Sequence, residues 1–73
     1  MILKVGIIGT GTIAKDHAIT CQADPKVELT AACDSSIEVL KSFGDQYGIP
    51  TLYTDLAEFL QKESLDIVIV ATW

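Results

Sequence analysis

Apolar positions along this chain switch between two rhythms, and the switch points mark out its elements. Residues 2–8 (ILKVGII) are mostly β-branched and apolar, as a strand requires. Beyond Gly9 and Gly11 the spacing changes. Ile13, His17 and Cys21 recur every four residues with Ala14 and Ala18 alongside, which predicts a helix over 12–23. Asp24-Pro25 stops it, because proline disfavours helical geometry in the residue before it. Residues 27–33 (VELTAAC) form a second predicted strand. Ser35 followed by Glu38 has capping-box spacing, and it opens a helix carrying Ile37, Leu40, Phe43 and Tyr47 along one side. Gly48 and Pro50 close that helix. A short strand is expected at 51–53. Asp55, with Glu58 three residues on, then starts a third helix whose buried stripe would be Leu56, Phe59 and Leu60. The run DIVIVAT at 66–72 has the pattern of a parallel strand covered on both faces.

Strands alternating with helices imply an α/β fold with parallel pairing and right-handed crossovers. The expected architecture is a partial doubly wound sheet of four strands in the order 3-2-1-4 with three helices, the first half of a dinucleotide-binding (Rossmann) fold. Strand four would then be interior and flanked by a fifth. The sequence stops one residue after Thr72, and an uncovered apolar edge invites unwanted pairing. The chain therefore reads as the beginning of something longer.

Length and charge narrow the class. Seventy-three residues make one domain at most. Cores of this size seldom supply more than about 3–5 kcal/mol without staples. Cys21 and Cys33 allow one disulfide, but their apolar surroundings favour two reduced thiols of an intracellular protein. With 10 acidic and 5 basic residues, a net charge of −5 and no arginine, the chain lacks the basic footprint of a nucleic-acid binder. Hydrophobic residues make up 49%, yet no run approaches the ~18 residues of a membrane span. Lys4 and a glycine turn replace any signal-peptide pattern. Cytoplasm is the default.

The candidate chemistry sits where the first strand hands over to the first helix. Gly9-Thr10-Gly11-Thr12-Ile13-Ala14 is G-x-G-x-x-A, a variant of the dinucleotide fingerprint. Gly9 would permit the tight turn, and Gly11 would let a pyrophosphate approach the backbone at the helix N-terminus. Ala14 would let the helix lie close to the strand. Alone the string is weak, since glycine punctuates turns everywhere. Its setting strengthens it: Asp34 closes the second strand 20 residues after Ala14, where a carboxylate can accept hydrogen bonds from the adenosine ribose.

Asp34 also has a structural reading, as an acid favouring the positive end of the second helix. Its charge would repel a 2′-phosphate with no arginine to offset it, so NAD is expected over NADP. Lys41, Ser35 and Ser36 leave NADP open. His17, the one histidine, reads as a packed helix residue rather than an acid–base catalyst, and no catalytic residue is assigned. Phe43, Tyr47, Tyr53 and Phe59 read as core; Asp45, Asp55, Glu58, Glu63 and Asp66 read as caps and solvated faces. No spacing suggests a metal site. A methyltransferase sheet also starts with a glycine turn, but tends to place an acid two positions before the first glycine, where this chain has Ile7.

Taken together, VGIIGTGTIAKDHA, VELTAACDSS, YGIPTLYTDLAEFL and LDIVIVAT resemble the N-terminal half-domain of the Gfo/Idh/MocA oxidoreductases over nearly the whole chain. G-x-I-x-x-x-H at 11–17, Tyr-Gly-Ile-Pro and Tyr-Thr-Asp are more specific than the fingerprint alone. The resemblance implies a nicotinamide-dependent enzyme acting on a sugar, polyol or derivative, with a C-terminal α/β domain carrying substrate and oligomer contacts. Residues 1–73 would be the first portion of its NAD(P)-binding domain. By position, Gly9, Thr10, Gly11, Thr12 and Ile13 would hold the pyrophosphate, Asp34 and Ser35 the ribose side, and Ala71 and Thr72 would border the cofactor. The family's catalytic lysine, in a Glu-Lys-Pro stretch, and its downstream histidine would lie after residue 73, so this stretch would not catalyse by itself. The family usually has proline where this chain has Trp73. The alternative is a nucleotide-binding or regulatory module without catalysis.

Overall fold

The structure is a computed structural model and describes residues 1–72, so the proline-to-Trp73 departure lies outside the described residues. The described elements run β1 (Leu3–Ile8), α1 (Thr12–Ala23), β2 (Val27–Cys33), α2 (Ile37–Tyr47), β3 (Thr51–Tyr53), α3 (Leu56–Lys62) and β4 (Ile67–Val70). The four strands form one sheet in the order β3-β2-β1-β4, and every pairing is parallel. The two-period pattern thus gives the expected 3-2-1-4 topology.

Two cores follow from that winding. On one face, Val5 and Ile7 of β1 and Leu29 and Ala32 of β2 pack with Ala14, Ala18 and Cys21 of α1 and Leu40 and Phe43 of α2. On the other face, Ala31 and Cys33 of β2 meet Tyr53 and Phe59, with Ile8 and Leu65 alongside. Phe43 and Phe59 are fully enclosed, and burying each contributes about 2–3 kcal/mol. The ring of Phe59 also meets that of Tyr53 edge-on, with centroids 5.6 Å apart.

Leu29 and Ala32 share a face although three positions separate them. The register explains it: Val5 pairs with Leu29 but Gly6 pairs with Ala31, so Thr30 is an extra residue on β2. Its hydroxyl donates to the Val5 carbonyl at 3.5 Å. The bulge reverses the in–out alternation of the strand from that point on.

Several expected faces shift. On α1 the buried stripe is Ala14, Ala18 and Cys21, while Ile13 is exposed and His17 half-buried. The small residues win the inner face because the helix lies close to the sheet. On α3 only Phe59 is buried; Leu56 and Leu60 are exposed, since a single turn or two of helix offers one inward position. Ile37 is exposed and Tyr47 half-buried on α2, leaving Leu40 and Phe43 as its inner pair. β4 departs most: Ile67, Val68 and Val70 are exposed. It pairs only with β1, so the expected cover on both faces is not present among the described residues.

The α2 cap is also one residue later than its spacing suggests. Ser36, not Ser35, accepts from the Val39 N–H. Asp34 has already bound the Ser36 N–H, and this local turn delays the helix start. The cysteines are free and buried, as expected. The acids serve as caps and pairs: Asp55 caps α3, Glu58 pairs with Lys62 at 3.4 Å, and Asp66 accepts from the Lys4 N–H. Glu63 accepts from the Tyr53 hydroxyl, and the phenol is pushed up to about 12, first by that bond and then by burial.

Candidate cofactor-binding site

The C-terminal ends of β1, β2 and β4 converge on the glycine turn. The Gly9 N–H donates to the Cys33 carbonyl at 2.8 Å, and the Ala71 N–H donates to the Ile8 carbonyl at 2.8 Å. Gly9 adopts φ +93°, a region side chains rarely enter. A Cβ there would lie 2.9 Å from the Ala71 carbonyl oxygen and 2.8 Å from the Thr72 methyl. Packing and backbone both demand glycine at this position.

Gly11 is different. It is the N-cap of α1, with extended backbone, and a Cβ on it would meet nothing within 4 Å among the described residues. The protein's own packing gives no reason for the missing side chain. Nor does any described side chain cap α1, and its first turn holds no acid. Its leading N–H groups, with the positive end of the helix dipole, therefore face open space.

Asp34 stands opposite, just past β2. Its Oδ2 accepts from both the N–H and the hydroxyl of Thr10, each at 2.9 Å, and its Oδ1 accepts from the Ser36 N–H at 2.9 Å. Partial burial would raise the carboxyl pKa. The N–H of Ser36, the N–H and hydroxyl of Thr10, and the N–H of Ser35 outweigh it, and the group is held below its ordinary value. Asp34 is thus an ionised, oriented acceptor. Beside it, burial first, then Asp34 and Asp55, push the Cys33 thiol up, which keeps it unreactive.

A cleft of about 180 Å³ is lined by Gly9, Thr10, Gly11, Thr12, Ile13, Asp34, Ala71 and Thr72. These are all but one of the residues the sequence singles out. Ser35 instead lines an adjoining recess with Ile8, Cys33, Thr54 and Leu56. Thr54 and Leu56 lie in the stretch that carries the Tyr-Thr-Asp resemblance, just beyond β3, at the carboxyl edge where such sheets bind ligands. Thr10 enters the site differently from its neighbours, for both its donors go to Asp34 and its side chain is 1% exposed. The larger groove, about 370 Å³, lies beside the cleft between α1 and α2 and includes Lys15, Glu38 and Gln46. His17 does not line the cleft. Among the described residues no cluster of His, Cys, Asp or Glu could hold a metal ion, and no helix is long and apolar enough to cross a membrane.

The arrangement fits a nicotinamide dinucleotide. A diphosphate needs backbone donors with no side chain in front, and a ribose diol needs a fixed acceptor within the same cleft. Gly11 with the bare α1 terminus, and Asp34, are groups of these two kinds lining one cleft. These features define the first half of a dinucleotide-binding Rossmann domain. The chain belongs to the Gfo/Idh/MocA oxidoreductase family with the NAD-binding Rossmann fold, whose family model matches residues 3–73.

Its relatives agree. A D-apiose dehydrogenase of Paraburkholderia graminis is 36% identical over 69 residues, covering 94% of this chain and 18% of the relative. An inositol 2-dehydrogenase of Azotobacter vinelandii is 31% identical, covering 100% and 22%. Among solved structures, an oxidoreductase from Agrobacterium radiobacter in complex with NAD+, L-tartaric acid and magnesium superposes with a TM-score of 0.95 at 32% identity, covering 100% and 21%. The chain spans about a fifth of the length of the curated relatives it matches.

Proposed function

We propose that this chain is the cofactor cradle of an NAD-dependent dehydrogenase whose substrate is a sugar, a polyol or a derivative of one. The observation that carries the reading is Gly11: a helix start stripped of side chain, cap and acid, facing Asp34 across one cleft. In this reading the N–H groups of Gly11, Thr12 and Ile13 bind the pyrophosphate, with Gly9 setting the turn that aims them. Asp34 binds the adenosine ribose, and Ser35 lies beside it in the adjoining recess. Ala71 and Thr72, after β4, border the dinucleotide. Thr10 belongs to the site through its bonds to Asp34.

Bound NAD would supply the hydride acceptor of the reaction. This chain's residues contribute binding and orientation only. The fixed negative charge of Asp34 favours NAD over NADP, because a 2′-phosphate placed there meets a carboxylate and no arginine. The sugar-type substrate is supported by the D-apiose and inositol dehydrogenases among the relatives. The reduced, buried thiols of Cys21 and Cys33 support a cytoplasmic setting, and the family resemblance supports a homo-oligomer.

The test is a fluorescence titration with NADH of the full chain and of its Gly11→Val variant. A branched side chain at position 11 would fill the approach to the backbone, so binding should weaken at least about 100-fold, on the order of 2.7 kcal/mol. Equal affinity would show that the glycine turn has no part in binding. Reduction of NAD+ by the full-length protein with a panel of sugars and polyols then tests the substrate class; turnover confined to other substrates would overturn it.

A further inference from the structure

We propose that Thr10 is a positioning residue that sets cofactor preference through Asp34. The inference rests on the dinucleotide reading above and goes beyond it, since Thr10 lines the cleft yet turns its hydroxyl to Asp34. Its side chain is 1% exposed, the one buried polar side chain among the described residues. A buried hydroxyl needs a partner, and this one has a carboxylate oxygen at 2.9 Å, doubled by the residue's own N–H on the same oxygen.

The consequence is a division of labour between two oxygens. A carboxylate oxygen has about two acceptor positions. Oδ2 spends both on Thr10. Oδ1 accepts from the Ser36 N–H, and the Ser35 N–H also favours the ionised carboxyl, but Thr10 makes no claim on this oxygen. Thr10 therefore fixes the rotamer of Asp34 and leaves Oδ1 as the oxygen that can accept from a ribose hydroxyl. It also stops the charge from swinging aside. A carboxylate free to rotate would make way for a 2′-phosphate, whereas one tied to the glycine turn cannot. Selectivity against NADP then depends on a threonine whose hydroxyl is committed to Asp34.

The experiment compares NADH and NADPH dissociation constants for the full chain and for Thr10→Val and Thr10→Ser. Valine keeps the shape and removes the donor; serine keeps the donor. Loss of a hydrogen bond to a charged group predicts about tenfold weaker NADH binding in Thr10→Val. The NADH-to-NADPH preference should fall by a similar factor, and Thr10→Ser should restore both. An unchanged preference in folded Thr10→Val would overturn the proposal while leaving the cofactor reading intact. Failure of the unaltered chain to bind NADH would overturn the reading itself. Should valine prevent folding, Thr10→Ala is read out the same way. If neither folds while Asp34→Ala does, Thr10 serves the turn alone, and the proposal fails.

Discussion

α1 and α3 open in opposite ways. At α3, Asp55 accepts from the N–H groups of Ala57 and Glu58, Glu58 adds an acid to the first turn, and Lys62 stands in the last. Two of the free N–H groups at that end thus have a side-chain partner from the chain itself. At α1 the cap is glycine, no described side chain reaches the free N–H groups, and the first turn is Thr12, Ile13 and Ala14. α2 sides with α3, through Ser36 and Glu38. The chain caps two helices from its own sequence and leaves the third without a described side-chain cap. The capped ends serve the fold; the bare one faces a cleft that also holds a fixed carboxylate.

That contrast can be broken at several points. The largest effect is expected where the turn is built. Gly9→Ala forces a side chain into φ +93° and against the Ala71 carbonyl, and urea unfolding should show a loss on the order of 3 kcal/mol. A loss below about 0.5 kcal/mol would mean the turn relaxes freely. Asp55→Ala is the mirror of Gly11→Val. It should cost about 1 kcal/mol of stability and leave NADH affinity unchanged, whereas Gly11→Val should do the reverse. If both variants weaken NADH binding equally, the two helix ends do not divide their roles.

The smallest effect is a pH dependence. Asp34 is held below its ordinary value of 3.8 in the folded chain. Its contribution is therefore complete above the unfolded carboxyl range and lost as pH falls through the lower folded value. Acid unfolding curves of the parent and Asp34→Asn should diverge above that window and converge below it. Parallel curves throughout would show that the Thr10 and Ser36 bonds do not favour the ionised form.

Periodicity made the topology legible because each strand–helix switch is local: the runs at 27–33 and 51–53 match β2 and β3 to the residue. The glycine motif and Asp34 were legible for the same reason, as fixed spacings around one turn. What periodicity could not supply was the inward direction of each helix. Ile13 outranks Ala14 in hydrophobicity, yet Ala14 is enclosed and Ile13 exposed, because proximity to β1 selects for size. β4 misled for another reason. Its apolar run reports a strand suited to cover, while exposure is set by neighbours, and among the described residues only β1 lies beside it. The link from Thr10 to Asp34 joins residues 24 positions apart; no spacing rule reads a side-chain bond between two loops.

The irregular pairing at Thr30 bears on where the acid ends up. Successive residues of a strand point to opposite sides, so a count that is off by one sends every later side chain the wrong way. Ala32 faces α1 and α2 because the bulge absorbs the extra residue and regular pairing resumes at Gly6 and Ala31; Asp34 follows directly on that strand end. Were Thr30 instead to pair with Gly6 in unbroken register, Ala32 would turn to the Phe59 side of the sheet and the strand end that carries Asp34 would be reversed. A local kink at one part-buried residue in the middle of β2 thus preserves the facing of everything that follows it in the strand.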